Sequence, residues 1–141
     1  MRRGLDQDDR GSVAAELTLL TPLLLLLLVF VVALGRLADA RLEVDNAAAQ
    51  AARAATVSSS MGGANETAQQ SAAATLASDH VTCSHLSVST DTAAFSPGGR
   101  VEVTVSCAVS FADLSLLHLP GTETVSGSAT SPVDRFRSVG P

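Results

Sequence analysis

Two cysteines, three histidines and one glutamate at the edge of a long apolar run carry the chemistry this chain can offer. Cys83 and Cys107 stand 24 positions apart, far enough to close one disulfide. His85 would share the Cys83 face of an extended strand, so a Cys/His metal site is the alternative use of the pair. His80, His85 and His118 do not follow metal-ligand spacing, and no C-x-x-C or H-E-x-x-H is present. Nor is there a glycine-rich phosphate loop or a G-x-S-x-G elbow. A disulfide beside an ordinary histidine is the simpler reading, and the dispersed Asp and Glu residues read as solvated faces. The sequence therefore points to a non-enzymatic protein that takes no cofactor and no metal.

Glu16 is different, because it sits where a carboxylate would meet lipid. Such a charge is costly unless it is paired, neutralised or held at the surface. Held in the headgroup layer at a helix N-terminus, it would be favoured by the helix dipole. Upstream stand Gly11 and Ser12. A cut after Gly11 would free an amine on Ser12, four residues before Glu16, and that amine can pair with the carboxylate of a neighbouring copy.

These residues depend on the elements that hold them. Residues 17–34 contain no charge, and as a helix they would span about 27 Å, close to the hydrocarbon thickness of a bilayer. The chain of 141 residues is 46% hydrophobic but only 3% aromatic, with much of its apolar content spent in this run. The remainder of the chain is rich in Ala, Ser and Thr, too little to wrap such a helix as a soluble core. A signal peptide cut after Ala38-Asp39-Ala40, releasing a secreted binding domain, is a further alternative. The formal net charge of −5, with nine Arg and no Lys, leaves no basic stripe for nucleic acid. Arg2, Arg3 and Arg10 before the span balance Arg36, Arg41 and Arg53 after it, so charge does not set topology. The cysteine pair favours the C-terminal part on an oxidising side.

Past Gly35 the helical pattern continues. Leu37, Val44, Ala48, Ala51 and Ala55 recur at three-to-four-residue spacing, and no Pro or Gly interrupts 36–57. One helix is predicted over 12–57, its Ala stripe covered by its own head or by another subunit. Glu66 to Ser78 reads as a second helix with Asn65 as candidate cap. Then the period becomes two. Val101, Val103, Val105, Cys107, Val109 and Phe111 line one face, the clearest strand in the chain. Val81 to Thr90 is the expected partner across Ser96-Pro97-Gly98-Gly99, setting Cys83 opposite Cys107, and Thr122 to Thr130 adds a third strand. In that register Leu86 and Val88 point away from the cysteine face, so a bulge or a strand buried on both sides is expected. The tail from Ser131 shows no recognisable element.

Gly11, Glu16 and the leucine run resemble the processing motif of type IV prepilins. In those proteins an inner-membrane aspartic peptidase cuts after the glycine, on the cytoplasmic side. More narrowly, RGSVAAELTLLTP followed by the run is similar to the TadE-like proteins of tight-adherence (Flp) pilus systems. That family carries an acidic residue near the start of its segment and a proline several residues on, here Glu16 and Pro22. The resemblance implies a minor pilin or pseudopilin working in pilus assembly. Its partners would be the membrane, the pilus-assembly platform, other pilin-like subunits and a prepilin peptidase. Pro22 removes one helix hydrogen bond, freeing a carbonyl near Thr18 that Thr18 or Thr21 would serve, and a local kink is expected there.

The expected fold class is thus α+β: a long N-terminal transmembrane helix extending outward, a short helix and a small antiparallel sheet. The expected divisions are 1–11 as a cytoplasmic leader-like segment, 12–57 as the helix and 58–141 as the external head with its tail. The expected location is a single-pass cell-membrane protein with a cytoplasmic N-terminus and an extracytoplasmic head. The alternative function is a membrane-anchored structural or secretion-associated protein that never enters a filament.

Overall fold

A computed structural model describes residues 8–114 and 120–136, with side chains for 16–112 and 120–136. The chain divides into two units, Met1–Gly35 and Arg36–Pro141. Helix α1, Asp8–Val57, contributes to both. It starts four residues before the predicted Ser12, so Gly11 and Ser12 lie inside helical backbone. Residues 1–7 of the leader-like segment fall outside the described residues.

In the first unit α1 carries the leucine run. Its most apolar 18-residue window has a mean hydropathy of 2.9 and is 0% buried. Leu19 is 76% exposed and Leu26 68%. A core helix of a soluble protein would be covered, whereas this one is long and apolar enough to cross a membrane. The helix passes through Pro22 without interruption.

The second unit is an α+β head. From Ala40 onward α1 buries Val44, Ala47, Ala48, Ala51, Ala52 and Ala55. This band contains the predicted stripe and is broader than it. Its cover is the head of the same chain, since these side chains share one core with α2 and the sheet. Helix α2, Met61–Ser78, buries Ala64, Ala68, Ala72 and Leu76, one residue every fourth position. Its N-cap is Ser60, whose hydroxyl accepts from the Gly63 amide at 3.1 Å. Asn65, the expected cap, lies within the helix instead. The paired Gly62-Gly63 reads as a breaker in sequence, yet glycine is tolerated in a first turn whose cap is strong.

The end of α2 is equally specific. The Val81 amide donates to the Leu76 carbonyl (2.9 Å) and the His80 amide to the Ala77 carbonyl (3.3 Å), a Schellman closure. His80 takes the left-handed position at φ 58°. Val81 then packs against the core cluster to which Leu76 belongs, consistent with the apolar contact that accompanies this motif.

Strands β1 (His85–Asp91), β2 (Arg100–Ser110) and β3 (Thr122–Pro132) form an antiparallel sheet in the order β1-β2-β3. A single turn of helix, α3 (Phe111–Leu114), follows β2. Val101, Val103, Val105, Cys107 and Val109 are buried as the alternation predicts. Phe111, assigned to the same face, instead enters α3. The outer face is Ser- and Thr-rich, with Ser87, Ser89, Ser126 and Ser128 exposed.

The observed register pairs Leu86 with Cys107 and Val88 with Val105, not Cys83 with Cys107. Leu86 and Val88 therefore share the core face. The pairing is continuous over His85–Asp91, with no bulge. β1 starts at His85, four residues later than expected. β3 runs to Pro132 rather than Thr130, and Val133 beyond it is buried, so the start of the tail belongs to the fold.

Gly127, in the middle of β3, receives α1. A β-carbon there would lie 2.9 Å from the Asp45 α-carbon and 3.0 Å from its nitrogen, and the Asp45 carboxylate is closer still. Only a residue without a side chain lets helix backbone approach the strand this closely.

Candidate functional site

The sequence points to two groups of residues, and they lie in different units. Glu16 is exposed at the head of the leucine run. Ser12 stands four positions before it in α1, about one helical turn along the backbone. Near Pro22, the Thr21 hydroxyl donates to the Leu17 carbonyl at 2.7 Å. The acceptor adjoins the Thr18 carbonyl that proline frees. The bond satisfies the threonine's own hydroxyl by reaching back four residues, the usual outlet for such a group in an apolar helix.

In the head, Cys83 and Cys107 form a disulfide with a Cα–Cα distance of 5.3 Å. Cys83 reaches Cys107 from just outside β1. The Ser84 amide (2.8 Å) and hydroxyl (2.9 Å) both donate to the Ala108 carbonyl and hold this segment against β2. With both sulfurs bonded, His85 has no thiolate with which to share a metal. Among the described residues, no group of three or more His, Cys, Asp and Glu is arranged to hold a metal ion. His118 lies outside the described residues.

A feature the sequence did not reveal lies where α1 enters the head. A cleft of about 270 Å³ opens between the Arg36–Glu43 turns of α1, the Asp79–Thr82 segment and the end of β2. Val81 and Val109 provide apolar wall, and Arg36, Asp39, Glu43, Asp79 and His80 line the rest. Burial pushes the Glu43 carboxyl above its ordinary value of 4.5, Asp79 and Asp39 add to this, and His80 opposes it. Asp39 and Glu43 read as an exposed, off-stripe helix face in sequence. Only the Schellman turn brings Asp79 and His80 to them, and the signal for that turn was weak because its left-handed residue is histidine.

The uncovered apolar helix fits a single-pass membrane anchor, and the disulfide-bonded head that follows is a small α+β domain. Residues 11–53 match the family model described as TadE-like protein, so the resemblance holds over the segment containing Gly11, Ser12, Glu16 and Pro22. The match points to a Tad pilus-associated protein in a membrane context. No curated protein and no solved structure matches the chain.

Proposed function

We propose that the chain is a minor pilin or pseudopilin of a tight-adherence pilus system, acting in filament assembly. The observation that carries this reading is the TadE-like match at 11–53, on a helix whose apolar run is uncovered and begins at Glu16. In this proposal the N-terminus is cytoplasmic and the head extracytoplasmic, the side where a disulfide persists. A prepilin peptidase cuts between Gly11 and Ser12, and the new amine pairs with Glu16 of a neighbouring subunit during assembly. Because Gly11 and Ser12 are in helical backbone, the peptidase must unwind the first turns of α1 to reach the bond. In the same proposal Pro22 sets a local kink that governs how the helix enters the assembly platform.

Intact-mass and N-terminal analysis of the membrane-associated chain, made with and without the cognate peptidase, tests the processing step. The expected result is a peptidase-dependent N-terminus at Ser12. An N-terminus upstream of Gly11 in both samples would refute processing and leave the anchor reading in place.

One observation favours the second reading, an anchored protein that never enters a filament. The Ala band of α1 is covered by its own head, so the face left to another subunit in this stretch is the mostly polar one of Arg41, Asp45, Asn46, Gln50 and Arg53. A stable anchor with no crosslinks to pilus components would decide for it. Release after Ala40 has less support, since Leu37 and Ala40 belong to the head's packed helix.

A further inference from the structure

The cleft beside Glu43 has a complement at the other end of the same head. Antiparallel pairing sets Val133 beside Gly99, through the Val133 amide to the Gly99 carbonyl (2.9 Å) and the Gly98 amide to the Val133 carbonyl (3.2 Å). The chain then leaves the sheet through Asp134, whose carboxylate accepts from the Phe136 amide at 3.0 Å. That turn holds Phe136 out in water, 97% exposed, with Arg135 before it and Arg137 after it in sequence. The other aromatic rings of the head are treated differently, for Phe95 is buried and Phe111 half-buried. An exposed ring flanked by arginines is the form an interface anchor takes.

We propose that Phe136 and Arg135 of one copy dock into the cleft bounded by Asp39, Glu43 and Asp79 of a second copy. The cleft suits this ligand on three counts. It has an apolar wall of Val81 and Val109 for the ring. At about 270 Å³ it exceeds the ~150 Å³ that accommodates a benzene molecule in a protein cavity. Its three carboxylates outnumber its cationic groups, so an incoming guanidinium meets opposite charge. Glu43, half-buried and with Asp79 and Asp39 for neighbours, presents an acidic partner to such a cation.

The occupant must be another copy. Val109, at the cleft, is ten residues along the chain from Gly99, about 33 Å at strand rise. Phe136 lies three residues beyond Val133 and reaches at most about 11 Å from it. Donor and acceptor thus occupy opposite ends of one head, and a contact between different surfaces joins successive copies into a row, or into a ring where its rotation closes. This inference needs only two copies of the chain and does not depend on the pilus reading.

The test uses the full chain in membranes, with p-benzoylphenylalanine replacing Phe136 and ultraviolet illumination. The expected result is a ladder of dimers, trimers and larger species, crosslinked to residues 36–43 or 79–82 of a neighbour. Arg135→Glu, on the exposed tail, should reduce the ladder about tenfold or more, as should Glu43→Arg. Combining the two reversals should restore it. Variants are compared only with the Cys83–Cys107 disulfide intact on a non-reducing gel. A monomeric product, crosslinks to lipid, to another protein or elsewhere on the chain, or a ladder indifferent to Arg135→Glu would overturn the proposal.

Discussion

Gly127→Ala asks one methyl group to occupy the space between β3 and α1. The new carbon would lie 2.9 Å from the Asp45 α-carbon, against the ~3.5–4.0 Å at which two carbons rest comfortably. The obstacle is helix backbone, so relief requires α1 to move off the sheet by roughly 0.6 Å or more, over a core of close-packed alanines and valines. Overpacking of this kind costs about 1–3 kcal/mol. Alanine returns ~0.4–1 kcal/mol by restricting the unfolded chain. The net expectation is a loss of about 1–2 kcal/mol, or roughly 5–15 °C in midpoint for a head of this size. Thermal unfolding of the full chain in detergent micelles, followed by circular dichroism, reads it. The control is Gly62→Ala: nothing lies within 4 Å of its β-carbon position in α2, so helix propensity should add up to ~1 kcal/mol. If Gly127→Ala also stabilises, α1 does not lie against β3 in the way its backbone contact with Gly127 requires.

Replacing both Cys83 and Cys107 by Ala should remove about 3.5 kcal/mol, the loop-entropy value for a separation of 24 residues. Urea unfolding checks this, and a loss below ~1 kcal/mol would show that the bridge does not constrain the unfolded head. Thr90 buries a hydroxyl oxygen that lacks a hydrogen-bond partner, so Thr90→Val should gain about 1 kcal/mol, seen as a higher denaturation midpoint at unchanged slope. Glu43 has a raised pKa in the folded state, so the folded head holds its proton more tightly than the unfolded chain does. Its contribution is therefore fully present below pH 4.5 and is lost as pH rises through the folded value. Glu43→Gln should stabilise the head at pH 7, with an advantage that shrinks on acidification; a pH-independent difference would contradict the assignment.

Much of this fold is legible in local periodicity. The valines of β2 alternate without error, and the alanines of α1 recur at helical spacing, because each pattern answers to a single neighbouring layer. What sequence hides is set by partners distant along the chain. The parity conflict between Cys83 and Leu86 dissolves only when Cys83 is taken out of the strand, and nothing local marks that boundary. Gly127 reads as a weak point in a strand, whereas its role depends on Asp45, 82 positions earlier. Asp39 and Glu43 likewise become a site only after α2 ends in a left-handed histidine. Glu16 was legible for another reason: a carboxylate at the entrance to a leucine run conflicts with its surroundings, and that conflict draws attention without any fold.

The central claim is that this anchored chain works in assembling a tight-adherence pilus. Its most direct test is to delete the chain in its native cell and count surface pili by electron microscopy, with the wild-type chain restored as control. The account predicts a marked loss of filaments that the restored chain reverses. Filaments of unchanged number and length in the deletion would contradict it.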